Sequence, residues 1–144
     1  IVINDDLYIG YSTAGGAGSS YLNTVTNSGS ASAYPVIKIY RTGGTSAVVE
    51  WIKNETTGET LWCNYSLLSG ETLTIDLTPG NRSITSDFFG DVWRAVLRGS
   101  QFTEFYLQAG TNYISAYVAQ VGSPTMTQYI EWVTTHEGAD GAAA

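Results

Sequence analysis

Short runs of alternating apolar and polar residues, broken about every ten positions by turn residues, constrain this chain more than any other feature. They cover Tyr21 to Thr26, Tyr34 to Tyr40, Ala47 to Lys53, Thr60 to Tyr65, Glu71 to Leu77 and Arg82 to Ser86. Further runs cover Val92 to Leu97, Thr103 to Leu107, Tyr113 to Val121 and Met126 to Thr134. A period of two puts alternate side chains on opposite faces of a strand. No segment sustains the i, i+3, i+4, i+7 apolar pattern, so no substantial helix is expected. Many short strands joined by tight turns predict an all-β antiparallel sandwich or barrel. The turns are chemically legible. Thr42-Gly43-Gly44-Thr45, Ser69-Gly70-Glu71, Pro79-Gly80-Asn81 and Ala109-Gly110-Thr111-Asn112 all carry residues that tolerate positive φ or tight bends.

At 144 residues the chain has the length of one domain. A chain of this size buries roughly 68–70% of its unfolded surface and needs no staple. Residues 1–20 read as an N-terminal extension whose second half, Ser12 to Ser20, is a Gly/Ser-rich linker. Such a linker implies that another part precedes it in the parent protein. The sandwich is expected over 21–135 and a flexible tail over 136–144.

Charge limits the partners. Six Lys plus Arg stand against thirteen Asp plus Glu, a net charge of -7, which argues against nucleic acid and anionic membrane surfaces. Charged residues make up only 13% of the chain, and 14 Ser and 18 Thr supply the polar surface instead. That balance suits β-rich extracellular and virion proteins. No apolar run reaches the length of a membrane span, so no membrane insertion is expected.

Catalytic constellations are sparse. The one histidine, His136, lies past the last strand and reads as solvent-facing. Cys63, inside Leu61-Trp62-Cys63-Asn64-Tyr65, reads as a small buried hydrophobe with no neighbouring base or cation to activate it. One His and one Cys are too few for a zinc site, and no phosphate loop or dinucleotide fingerprint is present. The carboxyls of Glu55, Glu59, Glu71, Asp87 and Asp91 read as solvated turn groups. Asp87 and Asp91 flank Phe88-Phe89-Gly90 but lack the alternating oxygens of a dedicated calcium loop. The four tryptophans, Trp51, Trp62, Trp93 and Trp132, lie in strand runs and read as core; Tyr8, Tyr11 and Tyr21 are nearer exposed ends and could face a partner. Three Asn-x-Ser/Thr sequons, at Asn54, Asn64 and Asn81, carry meaning only in a secretory route. No catalytic, cofactor-binding or metal-binding residue is assigned, no cofactor is expected, and no ligand-binding residue is singled out.

Several motifs then occur in a recognisable order. Asn27-x-Gly29 precedes Tyr34-Pro35-Val36-Ile37-x-Ile39, and Ile52-x-Asn54-x-x-Thr57-Gly58 follows. Next come Leu68-x-Gly70-Glu71-x-Leu73-x-Ile75-Asp76 and Phe105-x-Leu107-x-x-Gly110-x-Asn112-x-Ile114. This series resembles the C-terminal domain of siphophage distal tail proteins, the tail-hub family, over about Thr24 to Val118. Ala109 stands where the family usually has proline. The resemblance implies a galectin-like, jelly-roll-like sandwich on a phage tail tip or baseplate, assembled in the bacterial host cytoplasm. It implies docking to tail or receptor-binding proteins, contact with host saccharides in some members, and a homo-oligomeric parent ring. It places Gly70 and Gly110 in tight turns and gives the amides of Asn27 and Asn112 loop backbone to bond. Leu73, Ile75, Leu107 and Ile114 then point into the core. The competing reading is a carbohydrate-binding β-sandwich module. That reading requires a coplanar pair or trio of Trp and Tyr exposed on one face, whereas an enzyme requires carboxyls facing each other across a pocket.

If Leu73 and Ile114 fill the core, Leu73→Ala and Ile114→Ala each lower stability by about 2–5 kcal/mol. Urea unfolding measures this, and losses under about 0.5 kcal/mol at both would show that the strand facing is wrong.

Overall fold

A computed structural model describes the backbone of residues 7–14 and 19–134 and the side chains of residues 22–134. The strands are β1 (Leu7–Ala14), β2 (Ser19–Asn27), β3 (Val36–Thr42), β4 (Ser46–Asn54), β5 (Thr60–Ser66) and β6 (Thr72–Asp76). β7 (Ser83–Ser86), β8 (Gly90–Asp91), β9 (Gly110–Val121) and β10 (Thr125–Val133) complete them. They form two antiparallel sheets. The first has the order β1-β10-β3-β6-β7-β8, and the second β2-β9-β4-β5. The expected all-β antiparallel sandwich is the fold.

The core lies between the sheets, as the period of two demands. Ile37, Ile39, Leu73, Ile75, Ile84 and Ile130 face inward from the first sheet. Val25, Val49, Ile52, Leu61, Ile114 and Val118 meet them from the second. Phe105 and Leu107, from the long β8–β9 connection, are fully buried with them. All four residues expected inside, Leu73, Ile75, Leu107 and Ile114, are completely buried.

Three sequence expectations need correction. Residues 12–14 and 19–20 are strand, not linker: β1 pairs with β10 from Leu7↔Val133 to Ala14↔Met126, and β2 pairs with β9 from Ser19↔Val118. Ser, Thr and Ala carry no apolar alternation there, but the ladder bonds are made by backbone. The remaining linker residues, 15–18, and the tail expected over 136–144 lie outside the described residues. Val92 to Leu97 is not a strand. It contains a 3-10 turn, Trp93–Ala95, with Val92 and Ala95 buried three positions apart, the period of such a turn. Thr103 to Leu107 is likewise irregular, held by the isolated Ala33↔Leu107 bridge and by the Asn54 amide of β4, which donates to Tyr106 O.

The segment around that turn closes the edge of the second sheet. Leu97 N–H donates to Trp62 O at 2.8 Å, and Gln101 N–H donates to Thr60 O at 2.9 Å. An edge strand whose backbone is occupied in this way is closed to further strand addition.

One irregularity sets which side chains of β4 face out. The register slips between Val49 and Trp51 against both β5 and β9. Ala47 and Val49 are buried before the slip, Ile52 and Asn54 after it, and Glu50 is extruded. A bulge of this kind re-aims the side chains that follow it. Strict alternation from Val49 would have buried Trp51.

Cys63 is buried, and burial pushes its thiol from 9.0 to about 12. A native sample is therefore expected to ignore a thiol-reactive dye until denaturant is added, when one thiol per chain reacts. Because the folded thiol holds its proton longer than the unfolded one, its contribution to stability is intact below about pH 9. That contribution declines from about pH 9 towards 12. Cys63→Ala should flatten that part of the alkaline limb in a series of melts. Rapid labelling of native protein at neutral pH would contradict the buried placement.

Candidate functional site

The connections β3–β4, β5–β6, β7–β8 and β9–β10 all meet at one end of the sandwich. Their loop backbone needs partners once strand pairing stops. Arg41, 4% exposed, supplies three: Nε donates to Gly43 O at 2.8 Å, and its two terminal nitrogens donate to Leu67 O at 2.6 Å and Gly44 O at 3.0 Å. Glu71 supplies the acceptors. Its carboxyl group accepts from Leu68 N–H at 2.7 Å and from the hydroxyls of Tyr65 and Ser86. Glu71 is fully buried, which corrects the reading of it as a solvated turn group. The signal was present in the sequence, since Glu71 shares the phase of Leu73, Ile75 and Leu77. Burial first, and the bond to Glu71 second, raise the Tyr65 phenol above its ordinary range.

Ser86 passes the constraint outward. Its Oγ accepts from Phe88 N–H at 3.0 Å and Phe89 N–H at 3.2 Å. Asp87 ties the same turn to β6 by accepting from Thr72 N–H at 2.8 Å. Phe88 and Phe89 are left 49% and 61% exposed, edge to face with ring centroids 6.2 Å apart. Leu68, on the neighbouring loop, is also exposed. Sequence reading passed over this pair. Its signal was two adjacent phenylalanines inside an Asp-Phe-Phe-Gly-Asp turn, because a tight turn has no inward face to hide them.

At the opposite end, asparagines do the same work. Asn54 Nδ2 donates to Tyr106 O at 2.8 Å and to Asn112 Oδ1 at 3.2 Å, while its Oδ1 accepts from Thr56 N–H. Asn112 donates to Gln108 O and Gly110 O and accepts from Gln108 N–H. Asn27 donates to Ala31 O and accepts from Gly29 N–H. The loop-bonding roles expected of Asn27 and Asn112 are present. Gly70 and Gly110 take the positive φ values of 86° and 94° that their turns require.

The tryptophans divide. Trp132 is buried, as expected, but Trp62 and Trp93 are each 44% exposed and Trp51 is half-buried, so the core reading of all four is corrected. Trp93 packs on Phe102, with centroids 4.9 Å apart. Trp51 is register-paired with Trp62 on β5 and with Tyr117 on β9. Its ring lies nearly parallel to that of Tyr117, with an interplanar angle of 17° and a centroid separation of 6.1 Å. Three aromatic side chains thus form a row across the outer face of the second sheet.

The other candidates are dispersed. Asp91 caps Trp93 N–H at 3.0 Å. Glu55 accepts from Ser115 Oγ at 2.6 Å and pairs with Lys53 at 3.5 Å. Among the described residues, no three His, Cys, Asp or Glu side chains group as metal ligands do. A cleft of about 250 Å³ between Tyr34, Thr78, Pro79 and Trp132 contains one carboxyl, that of Glu131, which pairs with Lys38 at 3.0 Å. A shallower depression beside Lys38, Tyr40 and Tyr129 also contains one, that of Asp87. Neither opposes two carboxyls. Of the sequon asparagines, Asn54 is buried, whereas Asn64 and Asn81 are exposed. His136 and the side chains of Tyr8, Tyr11 and Tyr21 lie outside the described residues.

Glu71→Ala leaves three donors beneath the Phe88–Phe89 turn without their acceptor and should cost about 3 kcal/mol or more. Glu71→Gln, which keeps one acceptor oxygen, should cost less. Chemical denaturation of the two variants checks the order, and equal small losses would show that the network does not hold the loops.

No curated protein matches the sequence. A solved structure of the SPP1 Dit (gp 19.1) protein, described as a paradigm of the hub adsorption apparatus in phages that infect Gram-positive bacteria, is similar at 16% identity and a TM-score of 0.47. The similarity covers 87% of this chain and 48% of that one, so the chain spans about half the length of that protein. The sequence model of one family, the siphovirus-type tail component, C-terminal domain, matches residues 28–132, which include every motif quoted above except Asn27. The chain belongs to that family of phage-tail components.

Proposed function

We propose that this domain is a non-catalytic docking module of a phage tail tip or baseplate, and that its Phe88–Phe89 end seats against a neighbouring tail or receptor-binding protein. The observation that carries this reading is the pair of exposed phenylalanines on a turn held by buried bonds. Interfaces draw most of their energy from a few aromatic anchors. An anchor already fixed in place loses little conformational entropy on binding. Nothing about soluble life favours leaving two adjacent phenylalanines in water, so a partner that covers them is the economical explanation. The sparse, acidic charge points to an apolar and hydrogen-bonded contact rather than one steered by a basic patch. Dispersal of the carboxyls among the described residues supports the non-catalytic part of the reading. The parent ring supplies many copies, so a contact that is weak in one domain gains by avidity.

Phages carrying Phe88→Ser with Phe89→Ser test this. The isolated double variant should unfold within about 0.5 kcal/mol of the parent, because both side chains are exposed. Its tails should lack an outer component in electron micrographs, and infectivity should fall at least about tenfold, the effect of losing roughly 1.4 kcal/mol at a contact. Complete tails and full infectivity from a normally folded variant would refute the reading. Light scattering on the 144-residue chain separates the ring from the docking end. A ring would place self-assembly within this domain, and a monomer would place it elsewhere in the parent.

A further inference from the structure

We infer that the aromatic row Trp62–Trp51–Tyr117, on the outer face of the second sheet, is a binding site for neutral pyranose rings of an oligosaccharide. The row is built by register. Trp51 opposes Trp62 on one neighbour and Tyr117 on the other, and directly opposed residues share a face. It spans two interstrand spacings, about 10 Å, which suits a short oligosaccharide better than a single ring. The register slip at Glu50 is what turns Trp51 outward, so the exposure of this indole follows from a specific backbone device rather than from a leftover core residue.

The surroundings choose the occupant. One position along the strands from the row lie Lys53 and Ser115, joined through Glu55. On the other side lie the exposed Glu50 and Asn64. An apolar protein face covering the row would have to strip water from Lys53, Glu55 and Glu50, a heavy cost for groups it could not bond. A nucleic-acid base could stack, but the flanking carboxylates and the net charge of -7 repel its phosphates. An extended peptide adding as a strand finds the β5 edge already taken, with Leu97 N–H on Trp62 O. A neutral pyranose meets all of these conditions. Its C–H face packs on the exposed indole of Trp62, beside the stacked pair of Trp51 and Tyr117, and its hydroxyls reach the hydrogen-bonding groups on both flanks. This site is separate from the Phe88–Phe89 end and does not rest on the docking reading.

The experiment is an array of neutral hexopyranose and N-acetylhexosamine oligosaccharides probed with the full chain, followed by titration of the strongest binder. Binding is expected to quench tryptophan fluorescence. Trp62→Ala and Tyr117→Ala should each weaken it at least about tenfold, because stacked and buried aromatic area is lost. Trp62→Phe should retain most of it. Trp93→Ala, an exposed tryptophan outside the row, and the Phe88→Ser, Phe89→Ser variant should bind as the parent does. No binding to any neutral oligosaccharide by the parent chain would overturn the inference. So would binding that survives both Trp62→Ala and Tyr117→Ala. Should one of these two variants melt early, the other carries the test.

Discussion

A β-sandwich solves its backbone hydrogen bonding within the sheets and leaves it unsolved at the ends, where strands stop and loops cross from sheet to sheet. Here the solution is a small set of buried polar side chains. Arg41 and Glu71 close one end, and Asn27, Asn54 and Asn112 close the other. The division of labour follows from chemistry. Arginine offers only donors and is surrounded by carbonyls; a carboxyl group meets an N–H and two hydroxyls; an asparagine amide offers both and can mimic a turn of backbone. Each side chain is buried because the groups it serves are buried, and each is tolerable there because those groups satisfy it in return.

This explains why the family motifs are turns with flanking strands. Asn54, Gly70, Glu71, Gly110 and Asn112 stand where loops must be pinned, not where a ligand would sit. A likeness built on such residues carries the fold, and it says little about the binding surface. The candidate surfaces are instead built from Phe88, Phe89, Trp51, Trp62 and Tyr117, none of which belongs to the quoted motifs.

Alternation made most of the sandwich legible, because a strand with one buried face writes that face into its sequence. Leu73, Ile75, Leu107 and Ile114 follow directly. The rest was hidden for specific reasons. The end of β1, Ser12 to Ala14, and the start of β2, Ser19 and Ser20, are Ser, Thr and Ala, so backbone pairing there has no apolar signature. Val92 and Ala95 sit at the spacing of a 3-10 turn, which in a six-residue window is hard to tell from a strand. Trp51 was misplaced because a bulge inverts the phase of β4, and one extruded residue leaves no mark in composition. Trp62 lies on an edge strand whose outer face is open, and its neighbours Leu61 and Cys63 are the ones that fill the core. Glu71 shows the opposite error. Its phase was plain, but a carboxyl beside a glycine turn was assigned to solvent by residue type.

The two surfaces differ in what holds them, and that difference bears on use. Phe88 and Phe89 project from a turn whose N–H groups are bound by Ser86, itself bound by Glu71, so their position is inherited from the core through two hydrogen bonds. Such a tip can enter a pocket on another protein, as a hot spot does. Trp51 and Tyr117 are set into the middle of a paired sheet, stacked on each other and half-buried, with the more exposed Trp62 beside them. A low aromatic row with polar flanks has little to grip in a folded protein, and more to offer a sugar ring that carries its own hydroxyls. On these two proposals the end and the face take partners of different chemistry, because one offers a projecting aromatic tip and the other a row set within a sheet.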